Sequence, residues 1–198
     1  MKLLSVKCRW LIACVLWCGV IAFGYASLLR YSFGVGNASP APRTIPSSLA
    51  GFGTAGRPQL FVALHPRCPC SRATVRELAK ILTRAANATE TTVFMYKPGK
   101  ESDSWMDGVL LQECRRMNCQ IRPDPNGQLA ASLGSFTSGR VVLYDGHGKL
   151  RYHGGITGSR GHEGDNAGER AVIEILQGRR ESQKSLPVFG CAIEEACN

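Results

Sequence analysis

Cys68 and Cys70, with Pro69 between them, stand in the stretch LFVALHPRCPCSRATVREL, Leu60 to Leu78, where a β-type apolar run hands over to a helix-type pattern. A thiol at the start of a helix meets unpaired backbone N–H groups and the positive end of the helix dipole. Both lower its pKa from about 8.5 and enrich the thiolate, the form that attacks disulfides and binds metals. Arg67, Arg72 and Arg76 add positive charge nearby, the last two at helical spacing. His65 is placed to donate a hydrogen bond or shuttle a proton, and Pro66 and Pro69 stiffen the turn. Two cysteines one residue apart bridge only in a strained ring, and strain makes a disulfide easier to reduce. The pattern is that of reactive thiols rather than of a buried structural bridge. Whether Cys68 or Cys70 is the nucleophile stays open at this point.

Other residue groups belong to the same question. The loop GGITGSRGHEGDN, Gly154 to Asn166, carries five glycines and the close set His162, Glu163 and Asp165. Acidic residues at a helix start also serve the helix dipole alone. With Cys68 and Cys70, His162 or His65 could complete a copper or zinc site, although no fixed ligand spacing marks one. Cys114 and Cys119 lie five apart, and Cys191 and Cys197 six apart. Either pair could form a structural disulfide, and Cys114 equally suits a core position. Cys191 follows PVFG and could dock its tail on the domain, reaching the active turn as a resolving thiol. Asn37 and Asn87 fit glycosylation acceptor patterns, which occur often by chance.

The elements that must position the thiols follow from periodicity. Gln59–Leu64 reads as a buried strand, and apolar residues at helical spacing predict a helix from Ser71 to Ala86. Thr91–Tyr96 is a second strand, and Ser104 is placed to cap a helix running to Met117. A short strand at Gln120–Arg122 and a short helix at Asn126–Leu133 come next. Arg140–Tyr144 and Lys149–His153 are strands joined by the turn sequence DGHG. The last helix is Ala167–Gln177, capped by Asn166, with Glu169 three residues on and Gly178, Arg179 and Arg180 after it. Early strands alternating with helices imply parallel pairing, and the late strands form an antiparallel hairpin. The expected architecture is an α/β mixed sheet flanked by helices.

The first 30 residues read as an address. Trp10 to Leu29 is a 20-residue stretch without a charge, enough to cross a hydrocarbon core of about 30 Å. Lys2, Lys7 and Arg9 precede it, which places the N-terminal side in the cytoplasm and exports the rest. Segment length favours a retained anchor, while Gly24-Tyr25-Ala26 offers a rival signal-peptide cleavage site. Cys8, Cys14 and Cys18 in or beside this stretch read as small apolar residues. From Phe33 on the chain carries 20 basic and 15 acidic residues, a modest excess with no basic run interleaved with aromatics, so nucleic-acid binding is not expected. The division is 1–9 as a cytoplasmic positive segment, 10–29 as a transmembrane anchor, 30–57 as a flexible linker, 58–180 as the domain and 181–198 as a C-terminal tail. The linker assignment rests on the Gly, Pro, Ala and Ser content of Gly34 to Pro58 and its lack of any period.

The order of strand, cysteine-bearing turn and helix, followed by a late hairpin and a final helix, resembles the thioredoxin superfamily. The stretches LHPRCPCSRATVREL, SFTSGRVVLYDGHGKLRYHGGIT and SRGHEGDNAGERAV, with PVFGC, resemble the membrane-anchored thioredoxin-like proteins of the RedB type, from about Pro58 to Cys191 and in the anchor as well. The resemblance implies a thiol-disulfide oxidoreductase on the outer face of a bacterial inner membrane. It would be single-pass, acting on protein or small-molecule thiols and disulfides without an organic cofactor. Cys68 and Cys70 would be catalytic, with His65, Arg67, Arg72 and His162 as accessory groups. The alternative is a copper-carrying thioredoxin-like protein serving a respiratory metal site. Two departures stand out. If Cys68 takes the nucleophile's place, Ser71 replaces the resolving cysteine of thioredoxin; if Cys70 takes the resolving place, Arg67 replaces the nucleophile. Thr137-Ser138-Gly139 stands where thioredoxin has a cis-proline that shapes the substrate groove and helps keep metals off the thiols, and its absence leaves metal binding open.

Overall fold

The computed structural model describes residues 6–85, 88–117, 119–179 and 183–194. Ala86, Asn87, Arg180 and Cys197, named above, lie outside the described residues, as does Lys2. The chain forms two compact units that divide after Gly34. The first contains helix α1, Val6–Ser32, which is long and apolar enough to cross a membrane, a test a signal sequence also passes. Its large side chains, Trp10, Trp17 and Phe23 among them, are exposed along its length.

The second unit is built on one five-stranded sheet in the order β3-β2-β1-β4-β5. Its strands are β1, Gln59–Leu64; β2, Glu90–Lys97; β3, Gln120–Pro125; β4, Arg140–Tyr144; and β5, Leu150–Gly155. β1 pairs in parallel with β2 and antiparallel with β4; β2 pairs in parallel with β3, and β4 antiparallel with β5. Every residue of β1 is buried, as the continuous apolar run of a central strand requires. Side chains alternate between the faces. Leu60, Val62 and Leu64, with Val93, Met95, Val141 and Leu143, meet the helices α2, Ser71–Ala85; α3, Val109–Arg115; and α5, Ala167–Leu176. Phe61, Phe94, Val142 and Tyr144 face the other way, towards Leu49, Leu133 and the short helix α4, Gln128–Ser132. This is the thioredoxin-like mixed sheet flanked by helices that the sequence led us to expect.

Differences from the expected elements have local causes. The helix expected from Ser104 to Met117 is broken into a 3-10 helix, Asp103–Met106, and α3, because the chain is extended at Asp107 and Gly108. Ser104 caps nothing and shares a hydrogen bond with the Ser102 hydroxyl instead. β3 runs on to Pro125 because it is an edge strand, where prolines are tolerated. The helix expected from Asn126 starts at Gln128, since Asn126 and Gly127 take left-handed conformations at φ 55° and 69°. The buried Asp124 carboxylate then accepts hydrogen bonds from the Leu129 and Ala130 amides.

The segment expected to be a flexible linker is packed onto the second unit from Val35 onwards. Gly36 N–H bonds to Val188, Ser39 N–H to Gly134 and Ile45 N–H to Gly148, and a 3-10 helix, Ser47–Phe52, buries Leu49 completely. Arg140, 1% exposed, donates to the carbonyls of Gly134 and Ser39 and so fastens the strap to β4. The strap has no periodicity because irregular backbone contacts hold it, not a repeating element.

Candidate active site

β1 ends at Leu64, and His65 to Cys70 form the turn into α2. Cys68 N–H bonds to the His65 carbonyl, Ser71 N–H to Cys68 and Arg72 N–H to Pro69, which winds the turn into the helix. Cys68 and Cys70 are 3% and 7% exposed. The third sulfur comes from the tail. Cys68, Cys70 and Cys191 offer sulfur atoms that all lie within 4.8 Å of one another. Among the described residues all three are free thiols, and the expected Cys191–Cys197 pairing lies outside them.

The three sulfurs differ in electrostatics. Burial pushes the Cys68 thiol up, but hydrogen bonds from the Cys191 thiol, the Ser71 hydroxyl and the backbone N–H groups of Cys191 and Ser71 outweigh it, and the net shift is downward. Burial and the neighbouring Cys68 charge push Cys70 up. Cys191 is pushed up to about 12, first by burial and then by donating its hydrogen bond to Cys68. The two cysteines of the turn are thus shifted in opposite directions, towards the thiolate at Cys68 and away from it at Cys70.

The hydrogen bond from Ser71 has a source. The Ser71 and Ser138 hydroxyls lie 2.6 Å apart, and the His65 amide donates to Ser138 Oγ at 2.8 Å. A chain of donors thus runs from the His65 N–H through Ser138 and Ser71 to the Cys68 sulfur. The two departures from thioredoxin, serine in a cysteine's place and serine beside a proline's place, are joined in one relay.

The accessory residues expected from the sequence have other partners. His65 is 1% exposed and stacks on Tyr96, with Trp105 edge-on. Its Nδ1 accepts the Arg67 N–H, and burial with the Arg67 charge lowers its pKa to about 4, so it stays neutral and is unsuited to shuttling protons near neutral pH. Arg67 lies over the Trp105 ring at 4.1 Å. Arg72 pairs with Glu113, and Arg76 with Glu163 through both carboxylate oxygens. His162 is exposed, and among the described residues the sulfur cluster includes no histidine. The loop does reach the thiols, through a residue the sequence did not single out. The Arg160 charge pulls both Cys70 and Cys191 downward. Glu163, bonded to Arg76, and Gly164, donating to the buried Glu77, dock that loop on α2. Ser138 was likewise marked only as a missing proline. Cys114 and Cys119 are unbridged, and Cys119 Sγ donates to the Cys114 carbonyl.

Among solved structures, the chain is similar to a hypothetical protein of Sinorhizobium meliloti 1021, at 19% identity and a TM-score of 0.57, over 81% of this chain and 93% of that one. It is similar to an uncharacterized conserved protein of Geobacillus kaustophilus, at 15% identity and a TM-score of 0.57, over 81% and 92% of the two chains. A secreted disulfide oxidoreductase of Mycobacterium tuberculosis is similar at 14% identity and a TM-score of 0.47, over 63% and 83%. No protein-family model matches the chain, and no curated protein does. Likeness at these identities shows the fold alone.

Proposed function

We propose that this protein is a membrane-anchored, exported thiol-disulfide oxidoreductase of the RedB type, with Cys68 as its nucleophile. One observation carries the reading. A buried thiol at the head of α2 is held below its ordinary pKa by directed hydrogen bonds, with two more thiols within 4.8 Å. The Cys68 thiolate attacks one sulfur of a substrate disulfide, and the other leaves as a thiolate. A second thiol of the cluster then gives up its proton and attacks the Cys68 sulfur. That step releases the first substrate sulfur and leaves the protein oxidised by two electrons. An external thiol, small or protein-borne, returns it to the reduced state. α1 supplies the anchor, with its basic N-terminal side in the cytoplasm and the second unit outside, in the periplasm.

The test is differential alkylation of the full chain in detergent, equilibrated in dithiol/disulfide buffers and read cysteine by cysteine by peptide mass. Cys68 is expected to change state cooperatively with a second cluster cysteine, and Cys68→Ser to abolish disulfide exchange with a model substrate. A Cys68 that stays alkylatable at every potential overturns the reading.

A second reading is favoured by the same three sulfurs. Soft thiolate donors suit copper(I), and Cys68, Cys70 and Cys191 fit that metal without a histidine. The protein would then carry copper towards a respiratory metal site. Titration with copper(I) under reducing conditions decides it: one equivalent bound by the wild type and lost in Cys68→Ser supports carriage, and no retention removes it.

A further inference from the structure

Beyond α5 the chain returns along the sheet as an extended tail. His153 N–H bonds to Lys184, Gly155 N–H to Pro187, Ser138 N–H to Cys191 and Ile193 N–H to Phe136. Val188 and Ile193 are buried at 3% each. Gly190 lies so close to the Ser138 carbonyl that a Cβ there would stand 2.0 Å from its oxygen, so this seat accepts no side chain. The tail is thus fixed on both sides of Cys191, against the same Ser138 that feeds the donor relay to Cys68.

We propose that Cys191, not Cys70, is the resolving thiol, and that the working disulfide is Cys68–Cys191. This rests on the oxidoreductase reading and deepens it. Cys70 shares a tight turn with Cys68, and a bridge between them closes a strained ring through Pro69. Cys191 comes from a separate segment that its backbone bonds hold in place, and its sulfur lies within 4.8 Å of the Cys68 sulfur.

Once the Cys68 sulfur is bonded to the substrate, Cys191 is the thiol from a separate segment held within 4.8 Å of it. Cys191 then loses its proton and attacks the Cys68 sulfur; the S–S bond to the substrate breaks, and the substrate sulfur leaves with the electron pair. In the return step, an external thiolate attacks Cys191, the more exposed sulfur of the pair, and expels Cys68 as the better leaving group. A second attack by thiol on that mixed disulfide frees Cys191, and the external pair leaves oxidised.

The experiment maps disulfides in the full chain in detergent after brief oxidation with glutathione disulfide, by mass without reduction. Wild type and Cys70→Ser should both yield a Cys68–Cys191 cross-linked peptide. Cys191→Ser should hold glutathione on Cys68 at least about tenfold longer than wild type. Gly190→Ala keeps all three thiols but displaces the tail, and should also slow release. A Cys68–Cys70 cross-link in the wild type, or release in Cys191→Ser or Gly190→Ala at the wild-type rate, overturns the proposal while leaving Cys68 as nucleophile. No glutathione or cross-link on Cys68 in any form overturns the oxidoreductase reading, and this proposal with it.

Discussion

Cys114 and Cys119 stand at and just beyond the end of α3, and burial pushes them up to about 12 and about 11. Cys68 is hidden almost as well, at 3% exposed against 0% for Cys114, yet its thiol pKa is held below its ordinary value. The two regions share residue type and burial and differ in what is aimed at the sulfur. Cys119 points its S–H at a backbone carbonyl, so Cys114 gains no donor from it, and the charges of Cys119 and Glu113 push Cys114 further up. Cys68 receives a thiol, a hydroxyl and two amides. Desolvation penalises the charged form everywhere in the interior, and hydrogen bonds to that form decide where it is nonetheless favoured. Burial alone disfavours the thiolate at Cys114 and Cys119, and Cys68 departs from them because a thiol, a hydroxyl and two amides are turned towards it.

The largest expected effect tests that rule on a different group in the same turn. His65 is buried beside Cys68 but has no group favouring its charged form; Arg67 opposes it. Its folded pKa of about 4 lies below the ordinary 6.5, so between these values the unfolded chain binds more protons. Stability from this residue is complete above about pH 6.5 and is lost as pH falls towards 4, by roughly 2–3 kcal/mol. His65→Phe keeps an aromatic ring against Tyr96 and Trp105 and cannot titrate. Denaturant unfolding at pH 7 and pH 4.5 should show the wild type losing that increment and the variant keeping it. Equal losses in both proteins would mean that burial does not govern this turn.

The next effect is on Cys68 itself. Ser71→Ala removes the hydroxyl donor and cuts the relay from Ser138. A hydrogen bond to a charged group is worth about 1.5 kcal/mol, so the Cys68 pKa should rise by about one unit. Its alkylation rate near neutral pH should fall about tenfold, and the rate–pH curve should move to higher pH. Cys114 and Cys119 serve as internal controls and should not move. If the curve for Cys68 stays in place, the amides and the Cys191 thiol alone set its pKa.

The cysteine-bearing turn between strand and helix was legible in the sequence because its signal is local: an apolar strand, two prolines, two cysteines and an amphipathic helix within twenty residues. The parallel sense of the early strands and the antiparallel late hairpin were legible for the same reason, through strand–helix alternation and turn chemistry. What sets the sulfur chemistry was not. Ser138 lies 67 residues from Ser71 and stands out in the sequence only as part of the segment where thioredoxin has its cis-proline. It matters only because antiparallel pairing of β1 with β4 brings the segment before Arg140 beside His65. The expected proton shuttle failed because Tyr96 and Trp105, from β2 and the 3-10 helix, enclose the His65 ring. The strap from Val35 was misread as a linker because contacts such as Arg140 to Ser39 leave no period in the sequence. Cys191 was visible as a thiol with an apolar lead-in, but its place beside Cys68 and Cys70 depends on the backbone seat at Ser138.

The smallest effect separates charge from hydrogen bonding. Arg160 acts on Cys70 and Cys191 through its charge, from a loop that is partly exposed, so solvent screens it. Arg160→Gln keeps a polar side chain of similar reach and removes that charge. Alkylation of Cys70 and Cys191 at pH 9 should slow by about two- to threefold, with Cys114 and Cys119 unchanged. Added salt should produce the same slowing in the wild type and little further change in the variant, because both act on one long-range interaction. If salt slows the variant as much as the wild type, another cation holds these thiols, and the loop's part in the site reduces to packing on α2 through Glu163 and Gly164.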